Sequence, residues 1–158
     1  MIRCAVPDDA AAIARIWNRV IRETSATFAS VEKSVDEVAA MIPARPFVVA
    51  EEAGEVVGFG CYVQLRGGDG YRHTVEHSVH VAAGAEGRGL GRALVAWLVA
   101  DAHAAGMHTM WAGISSENPG AIAFHARLGF TEIARLPEVG RKFDRWMDLV
   151  LMRLELAD

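Results

Sequence analysis

Only two cysteines occur in the chain, Cys4 and Cys61, and they sit in separate short apolar runs with no ligand-like spacing. That excludes a disulfide framework and a cysteine-based zinc site. The expectation is two buried free thiols, suited to a reducing cytoplasm. No charge of either sign dominates, since 16 Lys and Arg stand against 20 Asp and Glu for a net charge of −4. A nucleic-acid-binding domain usually carries a basic surface, so nucleic acid is not an expected partner. Long hydrophobic runs are missing as well. The longest, around Ala93–Ala100, is too short to cross a bilayer and reads as a core helix. The opening stretch MIRCAVPDDAAAIARIW lacks a basic segment followed by an uninterrupted apolar one. It does not read as a signal peptide, and no membrane partner is expected.

What remains is a chain of 158 residues, 52% hydrophobic and 23% charged, a composition that folds around a core. One domain over residues 1–158 is expected. Ile2–Ala5 reads as a strand, and Pro7-Asp-Asp opens a helix whose apolar face carries Ile13, Ile16, Trp17, Val20 and Ile21. Ser34-Val-Asp-Glu has capping-box spacing for a second helix through Ile42. Ala53-Gly54 divides Phe47–Ala50 from Val56–Val63 as a hairpin turn. After Tyr71–Val81 come a glycine-rich turn, a helix ending near Gly106, the strand HTMWAGI, a helix over Asn118–Leu128, the strand TEIARL, and Arg145–Leu156 closing the sheet. The expected class is α/β in the α+β sense, a mixed sheet with helices on both faces. It is not the steady βαβ alternation of a dinucleotide fold.

YRHTVEHSVHV concentrates half of the six histidines beside a carboxylate. Val75, His77, Val79 and Val81 alternate with Thr74, Glu76, Ser78 and His80, a period of two that predicts a strand. A zinc site needs ligands converging on one point, whereas His73 and His77 on a strand lie roughly 13 Å apart and His80 points to the other face. No metal is expected. By pattern alone Glu76 is equally an exposed strand residue or a carboxylate buried for a purpose. Beside a hydrophobic pocket, with its pKa raised, it could accept a proton from an amine. Arg72, beside Tyr71 and Thr74, opens the same strand in this reading; its guanidinium suits an anion or a solvated strand end. The turn Glu86-Gly-Arg-Gly-Leu-Gly91 joins strand to helix and presents open N–H groups with Arg88 and Arg92, an anion site in prospect. Its glycines fit neither a Rossmann fingerprint nor a Walker loop.

EGRGLGRALV followed by NPGAIAFHARLGF resembles the GNAT superfamily of N-acetyltransferases. YRHTVEHSVHV, NPGAIAFHARLGF and VGRKFDRWMDLVLM, in that order, resemble the branch acting on phosphinothricin and on methionine sulfoximine or sulfone. WNRVIRETSATFAS is a weaker fourth match. The resemblance implies the GNAT fold, acetyl-CoA as co-substrate, a small amino-acid-like amine as acceptor, and a homodimer. It implies Glu76 as general base and His125 as acid toward the departing thiolate, a task water could also perform. Val79, His80 and Val81 would meet the pantetheine arm. Gly87, Arg88, Gly89, Leu90, Gly91 and Arg92 would meet the pyrophosphate, although Glu86 stands where an amide or cation is usual. Asn118 would contact the cofactor, and is by its chemistry also a helix cap. Phe28, Tyr71, Arg72 and Thr74 would line the acceptor site; Lys142 and Trp146 are pocket or interface candidates. Another acceptor amine, or an acyl-CoA sensor without turnover, remains open.

Overall fold

The structure is a computed structural model that describes residues 1–156. Its elements run β1 (Ile2–Cys4), α1 (Ala10–Glu23), α2 (Val35–Met41), β2 (Phe47–Glu52), β3 (Glu55–Gln64), β4 (Thr74–Val81), α3 (Leu90–Ala104), β5 (Thr109–Ser115), α4 (Pro119–Arg127), β6 (Thr131–Lys142) and β7 (Arg145–Glu155). The strands form a seven-stranded sheet in the order β1-β2-β3-β4-β5-β7-β6. Only the β4–β5 pair is parallel. The expected mixed, mostly antiparallel α/β sheet is therefore present.

Period-two patterning feeds a core on each face of the sheet. On β2, Phe47 and Val49 join Phe59 and Cys61 beneath α1 and α2, where Ile13, Ile16 and Val38 are buried. Val48 and Ala50 point the other way, with Tyr62 and Val75, against Leu94 and Leu98 of α3. The Tyr62 hydroxyl also donates to Asp101 Oδ2 at 2.8 Å, tying β3 to α3. α2 begins as its spacing predicts: Ser34 Oγ accepts from the Glu37 N–H, and the Glu37 carboxylate accepts from the Ser34 N–H.

Four expectations need correction. Arg145–Leu156 does not close the sheet, because β7 lies between β5 and β6 and the earlier strand forms the edge. β6 also runs past TEIARL to Lys142, through an irregularity between Leu136 and Gly140. A β-hairpin inserted edgewise gives this order, and hydrophobic pattern does not distinguish it from sequential addition. The Cys4 thiol is exposed while Cys61 is buried, because β1 is an edge strand paired only with β2. Finally, Tyr71 belongs to a short 3-10 turn and Arg72 and His73 to the bend after it, so β4 begins only at Thr74.

Leu98 is fully buried in the α3 core. Leu98→Ala should lower unfolding free energy by about 3 kcal/mol through lost transfer energy and the cavity left behind. Urea denaturation with an unchanged m-value would check this.

Candidate active site

The parallel ladder between β4 and β5 is short: Thr74, Val75 and Glu76 pair with Thr109, Met110 and Trp111, and there it stops. Beyond that point β4 stays with β3 and β5 stays with β7, so the two strands part. A cavity of about 750 Å³ opens in the fork, lined by Glu76–Val81 on one side and Ala112–Ser115 on the other. That volume suits a sizeable organic ligand. Strand carbonyls alternate in direction. The Ser78 and His80 carbonyls lie toward β3, 3.3 Å from where a Cβ on Gly60 or Gly58 would stand. The backbone polar groups of Val79 and Val81 therefore face the fork, where β5 no longer supplies partners.

Glu76 sits where the strands part. Its carboxylate lies so close over Gly113 of β5 that a Cβ there would be 2.7 Å from Oε1. The side chain is half-buried and makes no hydrogen bond or ion pair among the described residues. Burial pushes its carboxyl above the ordinary glutamate value. Its oxygens keep their lone pairs free toward the cavity.

His125, on α4, is buried and also lines the cavity. Both of its ring nitrogens are already engaged. Nδ1 is 2.8 Å from Ala121 O, one turn back on its own helix, and Nε2 is 3.0 Å from His77 Nε2. His77, predicted only as a strand residue, is therefore joined to His125 across the sheet. His80 lies on the other face, its ring 5.6 Å from Phe59, and burial pushes it down to about 4. Among the described residues no three His, Cys, Asp or Glu side chains converge as a metal site.

Asn118 is the helix cap that its chemistry allowed, and it stands beside the cavity. Its Oδ1 caps α4 by accepting from the Ala121 N–H at 3.1 Å. In the glycine turn, Gly87 and Gly89 have φ of 75° and 79°, a left-handed backbone that glycine adopts without strain. The first intrahelical bond of α3 runs from Ala93 N–H to Gly89 O, which leaves the N–H groups of Leu90, Gly91 and Arg92 without helical acceptors. Gly87–Arg92 lie beyond the cavity wall, which Glu86 reaches. Glu86 folds back onto the turn, accepting the Gly84 N–H at 2.7 Å, and backbone hydrogen bonds hold its carboxyl below the usual range. The Arg88 side chain turns outward to Glu52 Oε2 and Gly84 O.

Phe28 lines the cavity, whereas Tyr71, Arg72 and Thr74 do not. Tyr71 and Arg72 are exposed, and Arg72 borders a separate hollow with Arg45, Tyr62 and Gln64. The alternation coincides with β4, whereas Arg72, expected to open that strand, lies in the turn before it. Sequence reasoning missed Lys33, a cavity-lining cation whose Nζ stands 4.6 Å from the Trp17 ring centroid and has no ion-pair partner among the described residues. It sits in a loop with no periodicity to mark it. Lys142 is buried and donates to Thr24 O at 2.6 Å and Thr27 O at 2.9 Å. Those bonds fasten the segment carrying Phe28, whose ring covers Gly140 so closely that a methyl there would overlap it. Trp146 is 55% exposed and lies outside the cavity.

Replacing Lys142 with Met keeps most of the stem's volume and removes both of those bonds. Amide hydrogen exchange through Thr24–Phe28 should then accelerate about tenfold or more while the exchange of α3 is unchanged. Equal protection in the variant would show that Lys142 does not hold this segment.

Comparison with known proteins places this architecture. The model of the acetyltransferase (GNAT) family matches residues 13–130. The L-methionine sulfoximine/L-methionine sulfone acetyltransferase of Salmonella typhimurium is 42% identical, over 99% of this chain and 95% of its own. Among solved structures, a Salmonella typhimurium acetyltransferase with acetyl-CoA superposes with a TM-score of 0.96 at 41% identity, covering 100% of this chain and 94% of that one. A Sinorhizobium meliloti phosphinothricin acetyltransferase in complex with acetyl-CoA gives 0.93 at 32% identity, over 98% and 87% of the two chains. With a family match over most of its length and relatives similar from end to end, the chain belongs to the GNAT family of acetyltransferases.

Proposed function

We propose that the protein transfers the acetyl group of acetyl-CoA to the amino group of a small amino-acid-like acceptor, of the methionine sulfoximine, methionine sulfone or phosphinothricin type. The observation that carries this reading is Glu76: a half-buried carboxylate of raised pKa, without a partner, at the point where two strands open a cavity. An ammonium must lose a proton before it attacks a thioester, and a base of that kind accepts it directly or through one water. The free backbone edge at Val79 and Val81 fits the amide-bearing pantetheine arm, and a strand N–H there would polarise the thioester carbonyl. Gly87–Arg92, with open N–H groups at the start of α3, fits the pyrophosphate. Glu86 competes for part of that turn and should weaken the affinity.

Transfer is direct, in a ternary complex. Neither thiol lines the cavity, and burial pushes Cys61 up to about 12. Water in the open cavity protonates the departing thiolate, since His125 would first have to break one of its two ring contacts. Lys33 is better placed than Arg72 to meet the acceptor's carboxylate or phosphinate, with Phe28 as an apolar wall. The two unpaired thiols suit the cytoplasm, and no helix among the described residues is long and apolar enough to cross a membrane. A homodimer is supported by Val139, Phe143 and Trp146, apolar side chains 51%, 46% and 55% exposed on the β6–β7 hairpin. Sedimentation equilibrium at micromolar concentration should return twice the 17.1 kDa chain mass, and a monomer would remove that part of the reading.

Thiol release from acetyl-CoA with the three named acceptors tests the function. Turnover is expected on at least one, with Glu76→Gln lowering kcat about a hundredfold or more and leaving acetyl-CoA binding unchanged. Glu76 is active when ionised, so kcat/KM should rise with pH through a pKa above the ordinary carboxylate range. Tight acetyl-CoA binding without turnover on any acceptor would favour a sensor instead.

A further inference from the structure

His77 and His125 pose a counting problem. Their Nε2 atoms are 3.0 Å apart, with ring centroids 5.1 Å apart. His77 Nδ1 lies 3.1 Å from Trp111 O, and His125 Nδ1 lies 2.8 Å from Ala121 O. A carbonyl oxygen only accepts, so each Nδ1 must carry hydrogen to make its bond. Two neutral rings protonated that way would aim two bare lone pairs at each other across 3.0 Å. Moving one proton to an Nε2 repairs that contact and leaves a bare Nδ1 facing a carbonyl. Two protons therefore satisfy two of the three contacts, and only a third satisfies all of them.

We propose that the His77–His125 pair holds three ring protons, a single positive charge shared across its Nε2···Nε2 contact, and that this charge stabilises the negative charge developing in the cavity during acetyl transfer. The second half rests on the function proposed above. Burial opposes the charge and draws both rings below their ordinary pKa, and repulsion from His125 and His80 lowers His77 further. Three accepted donors, two of them on carbonyls, oppose that shift. The surroundings supply no competing partner. Phe130 stands 5.4 Å from the His77 ring centroid and 5.2 Å from that of His125, and Phe124 lies edge-on to His125 at 5.1 Å. His80, on the same strand as His77, is itself neutral near pH 7. Glu76, His125 and Asn118 share the cavity wall, so the shared charge would partly oppose the burial that raises the Glu76 carboxyl.

The reaction gives such a charge something to act on. Attack on the thioester places negative charge first on the carbonyl oxygen and then on the leaving sulfur. A fixed cation in the wall lowers the energy of both without a ring nitrogen having to turn into the cavity. His77 also lines the cavity, and in this reading it acts as a positioning residue, by keeping the proton on His125.

Nitrogen-15 NMR of the histidine-labelled, cofactor-free protein, at about one pH unit above the ordinary histidine pKa, counts the protons directly. Three N–H groups over the two rings are expected, both Nδ1 and one low-field proton between the Nε2 atoms. Two would overturn the shared charge. A second measurement tests its use. His77→Gln can still donate a hydrogen bond to His125 but cannot share a positive charge. It should lower kcat at least about tenfold, with the acetyl-CoA KM unchanged and the acid limb of the pH profile, set by Glu76, moved to higher pH because the neighbouring positive charge is gone. Wild-type kcat in that variant would refute the electrostatic role. If the variant fails to fold, the proton count on the unaltered chain still decides. Three protons in a protein that acetylates none of the acceptors would contradict the proposed function while leaving the shared proton standing.

Discussion

The early end of one parallel ladder governs the rest of the molecule. β4 and β5 hold together for three residue pairs and separate after Glu76 and Trp111. Each strand keeps its antiparallel neighbour on the far side, so the sheet splits without losing its core. The split exposes backbone on one strand, makes a cavity between the two, and puts a carboxylate at its apex. A closed ladder would have satisfied that backbone and left no room for a ligand. The core beneath α3 takes in Val75 of β4 and Met110, Ala112 and Ile114 of β5, so both arms of the fork are anchored in it.

Polar groups around the fork divide into tied and untied. Lys142, buried by β6, spends its donors on carbonyls of the Phe28 segment. Asn118 Oδ1 caps α4, and both nitrogens of His125 are occupied. The Glu76 carboxylate alone among these side chains is without a hydrogen-bond or ion-pair partner within the described residues. These three side chains are held while the carboxylate is left open, the arrangement that the proposed proton transfer requires. Gly113 permits it, since a side chain there would push the carboxylate aside.

Much of this was legible in the residues. Alternation in TVEHSVHV marked β4, the capping-box spacing marked α2, and the glycine spacing excluded two nucleotide motifs before any geometry was known. The resemblance of four short stretches pointed to the family. Other features depended on contacts distant in sequence. His77 and His125 meet across 48 positions, and Lys142 reaches Thr24 across 118. Neither pairing leaves a local pattern. Arg72 was misplaced for the opposite reason: it adjoins a strong alternation, and the chain turns just before that alternation begins. The order of β7 and β6 was hidden because both strands are compatible with an edge or an interior position.

The central claim is that Glu76 is a base whose pKa is set by burial at the fork. Carbon-13 NMR of the glutamate side-chain carboxyls in the cofactor-free protein reads that pKa directly, with Glu76→Gln assigning the resonance. A titration midpoint above the ordinary glutamate value of about 4.3 is predicted. An ordinary or depressed midpoint for Glu76 would contradict the account.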